Sequence, residues 1–290
     1  SIMMILGNRS YLCILFLISC NSLEESSKNN SFHFPTISGS TMGTTYTVKY
    51  GTKIKNNKDI QENKNRIEEI LRDINMQMST YISDSEISRF NTTKNIEWMD
   101  ISEDFAFVVK SSFKYYKISD GLYDITVMPL VNLWGFGPGK FLDIPTVADI
   151  DSVLSFIGQD LIEIQDHKIR KKDPRVQIDL SSIAKGYAVD KIIESLGHDN
   201  IFVEIGGEVR VKSNGKIWNI GINTPSIDNI SNEIDYIAPI ENGSIATSGN
   251  YRNFYFDRDN RFYHHEISPL TGYPIMSKLA SISVFTTTSC

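Results

Sequence analysis

Apolar and polar positions change their period along this chain, and the changes mark its elements. Over residues 43–50, Tyr46, Val48 and Tyr50 alternate with Thr45, Thr47 and Lys49, the period of two that predicts a half-buried strand. Within 59–78, Ile60, Ile67, Ile70, Leu71 and Ile74 recur at helical spacing and predict an amphipathic helix. Ser102 caps a second helix, 102–117, with Glu103 and Asp104 in the first turn, where acidic groups suit the helix dipole. Thr146 caps a third, 146–157, with Gly158 as its stop. Residues 159–172 predict a hairpin, and 185–196 a fourth helix ended by Gly197. From Ile201 onward the pattern shortens to strands and turns, at 201–205, 208–212, 218–222, 236–240, 251–256 and 281–285. Helices first and strands later favour α+β over a regular βαβ repeat. Neither an internal repeat nor a linker interrupts 36–290. This predicts a single domain with helices packed on a mixed or antiparallel sheet.

The start of the chain breaks this pattern. One positive charge, Arg9, precedes the apolar stretch 11–18, which closes on Leu17-Ile18-Ser19-Cys20 before the chain turns polar over 21–30. A charged start, a short apolar run and a small residue at the cut form a bacterial secretion signal. The run is shorter than the roughly 20 residues a spanning helix needs. It resembles a lipoprotein signal, in which cleavage before Cys20 leaves that cysteine carrying the lipid. The expectation is a signal peptide over 1–19, a flexible tether over 20–35 and a domain over 36–290. Its place would be the bacterial cell envelope, lipid-anchored on the extracytoplasmic side of a membrane.

Composition removes several classes of function. A hydrophobic share of 41% with 22% charged residues is ordinary for a globular protein. Net charge is −6 with lysines and arginines scattered, which excludes a nucleic-acid surface. The cysteines are Cys13, in the signal, Cys20, and Cys290 at the end, so there is no disulfide framework. Without a CxxC, neither a thiolate zinc site nor a redox dithiol is supported.

Five polar, glycine-bearing clusters are denser than connecting loops require. Gly39-Ser40-Thr41-Met42-Gly43-Thr44-Thr45 is either a strand-entry turn or an anion cradle, and it lacks P-loop spacing. Asp124 stands among apolar residues, so it must find hydrogen-bond donors or a cation; a capping aspartate is the structural alternative. The aromatic and glycine mixture from Gly121 to Gly137 would also suit the wall of a site for a flat ligand. In the run from Asp179 to Asp190, Ser181 and Ser182 open a helix whose free N–H groups favour an anion. Lys185 in the first turn is unfavourable for the dipole alone and points to a phosphate or carboxylate partner; a lysine reaching to solvent is the structural alternative. Gly206-Gly207 between strands implies a bulge or a close approach. Thr247-Ser248-Gly249 predicts another polar turn, and His264 and His265, adjacent on a strand, face opposite ways, so one of them can serve a site. With no HExxH, an acid–base or hydrogen-bonding histidine is the better reading than zinc.

In this order the clusters resemble the FAD:protein FMN transferase family, the ApbE-type flavin transferases. The carrying residues are Met42-Gly43-Thr44, Met78-Ser79-Thr80-Tyr81 with Ser85 to Asn91, Asp124-Ile125-Thr126 with Trp134 to Gly137, and the run from Asp179 to Asp190. Gly206-Gly207, Ala246 to Gly249, and His265 with Pro269 to Pro274 complete them. The resemblance implies FAD in a cleft between the sheet-rich and helical parts, with Mg²⁺ beside its pyrophosphate. The FMN half would move to a Thr or Ser hydroxyl of an acceptor protein, an exported or membrane redox subunit, and AMP would leave. It implies that Met42, Tyr81, Leu122, Tyr123, Asp124, Asp179, Lys185 and Ile267 line the FAD site, that Ser182 binds the metal, and that His265 is catalytic. Two other outcomes of the same chemistry are an FAD pyrophosphatase, with water as acceptor, and an FAD-binding lipoprotein without chemistry. The family carries a further metal motif, aspartate and threonine, after a strand like 281–285. The chain reaches Cys290 first, so a C-terminally truncated domain is expected. Asn250 stands where the family often has aspartate.

Overall fold

In the computed structural model, residues 32–53, 56–138, 143–223, 234–249, 253–276, 279, 281–287 and 289 are described. The expected signal peptide, Cys20, most of the tether and Asn250 lie outside the described residues. In chain order the elements begin with strands β1 (Thr36–Thr41) and β2 (Thr44–Tyr50), helices α1 (Asn57–Met78) and α2 (Glu86–Thr92), and strand β3 (Met99–Asp100). Helices α3 (Glu103–Ile118), α4 (Met128–Leu133) and α5 (Val147–Leu154) follow, then the hairpin β4 (Ile162–Gln165) and β5 (Lys168–Lys171) and helix α6 (Ser181–Leu196). The β-rich remainder is β6 (Ile201–Ile205), β7 (Glu208–Lys212), β8 (Trp218–Asn223), β9 (Ile234–Ile240) and β10 (Gly243–Gly249). It ends with β11 (Phe254–Phe256), β12 (Phe262–His264) and β13 (Ser281–Thr286).

Six strands form the main sheet in the order β1-β2-β6-β7-β10-β13, and every pair is antiparallel. The strand period sorts its two faces. On β6, Ile201, Val203 and Ile205 point into a core shared with the helices, while Phe202 points the other way. On β7 the phase is reversed: Val209 and Val211 join a second apolar cluster with Trp218, Ile220, Ala238 and Ile245, and Arg210 reaches Asp190 of α6 at 2.8 Å. Helix α6 packs on β6, β7, α1 and α3, so apolar residues such as Ile183, Tyr187, Val189 and Ile192 are buried around much of its circumference. Helix α1 buries Ile67, Leu71, Ile74 and Met78, one stripe at helical spacing. The result is the expected α+β single domain, with its sheets wholly antiparallel among the described residues.

Several boundaries differ from the sequence reading for local reasons. The strand β1 precedes the predicted one, and the polar run 39–45 is its hairpin with β2. Both turn residues have positive φ, Met42 at 50° and Gly43 at 70°, the sense that a two-residue hairpin needs. His33 and Thr52 pair through both backbone groups, so the last residues before β1 are held against the domain. Helix α5 has the predicted Thr146 cap, closed into a capping box by Asp149, but ends at Leu154. Beyond it Phe156 and Ile157 donate to carbonyls three residues back, tightening the last turn before Gly158. Thr247-Ser248-Gly249 lies in strand β10, not in a turn, because β13 pairs with all three residues, while β7 pairs with the first half of the strand. Helix α6 begins at Ser181, at the serine pair read as its opening rather than at the 185 where the apolar pattern starts, and places Lys185 in its second turn rather than its first.

Candidate active site

The start of α6 is built without a side-chain bond from its N-cap residue, Leu180. Asp179 takes that role one residue earlier: its Oδ1 accepts the Ser181 N–H at 2.8 Å. Leu180 O accepts from Ile183 and Ala184 at 3.0 and 2.8 Å, which turns the chain into the helix. The Asp179 N–H donates to Ile125 O at 2.8 Å, and Ser182 Oγ donates to Tyr123 Oη at 3.2 Å. These two bonds bring the segment 123–125 against the corner at 179–182. One helix turn on, Lys185 Nζ lies 3.0 Å from Glu208 Oε2, in a partly buried pair. The carboxylate partner that the lysine's position called for is thus within the chain.

Asp124 is buried and acts as the cap of a short turn. One oxygen accepts from the Thr126 N–H and hydroxyl at 2.7 and 2.6 Å, and the other from the Gln159 N–H at 3.1 Å. Burial pushes its carboxyl up from the ordinary value, and those three donors oppose the shift. Burial likewise raises Asp179, against the pull of its hydrogen bonds with Ser181.

The histidines divide as the strand period requires. His264 is buried, bonded through Nε2 to the Ile275 carbonyl and through Nδ1 to the Glu266 N–H. His265 is half-buried, with Nδ1 3.2 Å from Asn253 O and its ring edge-on to Phe136 at 6.5 Å. Burial lowers its pKa, and Lys185 adds to the lowering, so the imidazole is neutral near pH 7. Ser248 donates to the neighbouring Glu266 at 2.9 Å, and Ile267 bridges Pro274.

Tyr123, Asp179, Ser182, Lys185 and His265 therefore converge. Met42 packs its side chain on the main core from the β1–β2 turn. Leu122 and Tyr81 are exposed, Tyr81 at 74%, and among the described contacts none joins them to the α6 corner. The double glycine is a close approach: a Cβ on Gly206, at φ 57°, would meet Thr44 Cγ2 at 2.7 Å. A cavity of about 370 Å³ opens beside that turn, between Thr44, Glu204 and Thr247, yet none of the expected flavin-site residues lines it. Chemistry, not volume, marks the α6 corner. Sequence reasoning gave no role to Glu208 or Asn91, although both stood in quoted clusters. Nor did it single out Lys171, whose signal is a lysine on the apolar phase of β5, two residues from buried Ile169.

A half-buried carboxyl, a lysine and a neutral imidazole around a helix start equip an α+β enzyme for acid–base chemistry at an anionic substrate. The chain belongs to the ApbE family, whose model matches residues 42–290. It is 41% identical over 265 residues to the FAD:protein FMN transferase of Haemophilus influenzae, covering 87% of this chain and 76% of that protein. Among solved structures, the flavin transferase ApbE from Vibrio cholerae has a TM-score of 0.75 at 36% identity, over 89% of this chain and 84% of that one. The apo flavinyl transferase ApbE of Pseudomonas stutzeri has a TM-score of 0.75 at 33% identity, over 89% and 81%.

Proposed function

We propose that this enzyme, an FAD:protein FMN transferase like its relatives, moves FMN from FAD to a Thr or Ser hydroxyl of an acceptor protein at the α6 corner. The observation that carries the placement is the convergence of Asp179, Lys185 and His265 at one helix start. The acceptor oxygen attacks the FMN phosphorus, the P–O bond to the AMP phosphate breaks, and AMP leaves with the electron pair. Lys185 neutralises charge on the pyrophosphate, and Glu208 keeps its ammonium in place. His265, held neutral, takes the proton of the attacking hydroxyl through its other ring nitrogen, Nε2. Met42, Tyr81, Leu122 and Ile267 are assigned to the rim of the flavin site, with Tyr123 and Asp124 in the wall.

The residues at the corner fit Mg²⁺. Among the described residues no group of three or more His, Cys, Asp or Glu gathers for a metal, and what the corner offers are oxygens, from Asp179 and Ser182. A hard cation that keeps waters and substrate phosphates in its shell suits such a sparse oxygen set. When bound, Mg²⁺ would neutralise phosphate charge during the displacement.

The test is incubation with FAD, Mg²⁺ and an acceptor carrying a candidate Thr or Ser. Flavin that stays on the denatured acceptor, with AMP released, supports transfer; free FMN with AMP means hydrolysis, and unchanged FAD means binding alone. Among the described residues no helix is long and apolar enough to span a membrane. The anchor we assign is lipid on Cys20, holding the domain on the extracytoplasmic side near exported redox acceptors. Fatty-acid label that persists in Cys20→Ala would refute it.

A further inference from the structure

The segment leading into the α6 corner is held by a device that the flavin-transfer chemistry does not use. Residues 176–179 belong to no strand, yet their backbone is tied on both sides. Asn91, at the end of α2, accepts the Ile178 N–H on Oδ1 at 2.7 Å and donates Nδ2 to the Ile178 carbonyl at 2.8 Å. A single side chain thereby does what one residue of a neighbouring strand would do. Next to it, Lys171 Nζ donates to Phe90 O at 2.8 Å and Val176 O at 3.0 Å, and lies 5.0 Å from the Phe90 ring. Both side chains are buried, Lys171 at 1% exposure and Asn91 at 7%. One residue beyond Ile178, Asp179 is tied to Ile125 and to the first N–H of α6.

A lysine is an expensive way to fill this place. Burying an ammonium costs more than burying an aliphatic chain of like size, so packing alone favours an apolar residue here, as at Ile169 two positions earlier. What an apolar residue lacks is direction: Lys171 fixes two carbonyls, one from α2 and one from the segment, at a set separation. Asn91, the residue after Phe90, fixes Ile178, two residues beyond Val176. Polar contacts of this kind determine where a backbone sits more sharply than dispersion does.

We propose that Asn91 and Lys171 are positioning residues, a buried clamp that sets the corner at 179–182 for flavin binding. This rests on the flavin-site reading given above, but its geometric half stands alone. The clamp predicts that Asn91→Ala and Lys171→Met free the corner while the rest of the domain stays folded. Hydrogen exchange of the Asp179 and Ser181 amides, in the flavin-free protein, should quicken about tenfold or more, the loss of one net backbone hydrogen bond. FAD affinity, read by fluorescence titration below the melting temperature, should weaken by a similar factor. Asn91→Asp keeps the acceptor for the Ile178 N–H and loses the donor, so it should fall between Asn91→Ala and the native protein. The control is Val211→Ala, in the apolar cluster on the far face of the sheet, which should lower Tm without changing either readout. Unchanged exchange at Asp179 and Ser181 in the folded variants overturns the clamp, whatever happens to FAD. If Asn91→Ala does not fold, Asn91→Asp and Lys171→Met decide by the same measurement. A native protein that does not bind FAD removes the flavin reading, and the exchange result still decides the clamp.

Discussion

Two regions meet at the candidate site and are held by different forces. The α6 corner is fixed by directional polar contacts: Asp179 to Ser181 and Ile125, Asn91 to Ile178, Ser182 to Tyr123, Lys185 to Glu208. The opposite arm, β11, β12 and the loop that follows, carries His265 and Ile267 and is held mostly by rings. Phe136 stacks near Tyr255 at 5.3 Å, Tyr255 on Tyr263 at 5.5 Å, and Tyr263 on Trp134 at 5.4 Å. Trp134 adds one directional bond, its indole N–H to Gly272 O at 2.7 Å. Polar contacts place charges within tenths of an ångström. Aromatic faces hold an element firmly but leave it freedom to slide. On the flavin-transfer reading proposed above, a site that grips a pyrophosphate yet admits a protein acceptor would be served by one half of each kind.

The sharpest way to break the comparison is His265→Ala. As a general base its loss should slow transfer by about 10²–10⁴-fold. FAD affinity and Tm should change little, since among the described residues the ring's one hydrogen-bonding contact is to the exposed Asn253 carbonyl. A steady-state assay beside a thermal melt checks both, and a fall in Tm matching the loss of rate would refute the role. Trp134→Ala attacks the arm through its anchor. Removing this buried ring should cost about 3–5 kcal/mol in denaturant unfolding. It should also depress transfer more than FAD binding, because the corner keeps its own bonds. Equal losses in both would mean that arm and corner are one unit. On the corner, Lys185→Ala should weaken FAD binding by about ten- to a hundredfold, the worth of one charge-assisted bond. Unchanged affinity by titration would detach Lys185 from the phosphates.

The smallest effect is a pH dependence that belongs to the corner's support alone. Burial holds Lys171 down to about 8, from 10.5 in the unfolded chain. The folded protein therefore sheds this proton first, and the unfolded state binds more protons between those values. Stability from this residue rises as pH climbs from about 8 to 10.5, as the penalty of a buried charge is relieved. Melts at pH 7 and pH 10 should move the difference between native protein and Lys171→Met in favour of the native at the higher pH. A difference that does not move would mean that Lys171 titrates normally.

Much of this was legible in the chain because periodicity and caps are local. The stripe of α1, the Ser102 and Thr146 caps, the β4–β5 hairpin, the Gly197 stop and the strands β6 and β7 all announce themselves within a few residues. What escaped depends on distant partners. Strand β1 buries only Ile37 and Thr41, so no apolar alternation betrays it. Strand β10, with Gly, Ser and Thr at most positions, is a strand because β7 and β13 flank it. Helix α2 is seven residues long, too short for a period, though its Ser85 cap was in the sequence. At α6 the serine pair marked the start, and what was hidden was the cap, the Asp179 side chain outside the helix. The site followed the same rule: Asp179, Lys185 and His265 stood out as polar residues in dense clusters, whereas Asn91 and Lys171 matter only through a segment 87 and 5 residues away.

The β1–β2 turn carries a tension between sturdiness and use. Met42 occupies a left-handed conformation that costs an ordinary L-residue about 1–2 kcal/mol and glycine almost nothing. The chain has placed its glycine second in that turn and kept a long thioether first, resting partly on the core. A chain optimised for endurance would put asparagine or glycine there. A supple, polarizable side chain held in a costly backbone pose is a small standing charge on the fold, and at the flavin-site rim proposed for it, it would give a flat ligand a surface that adapts.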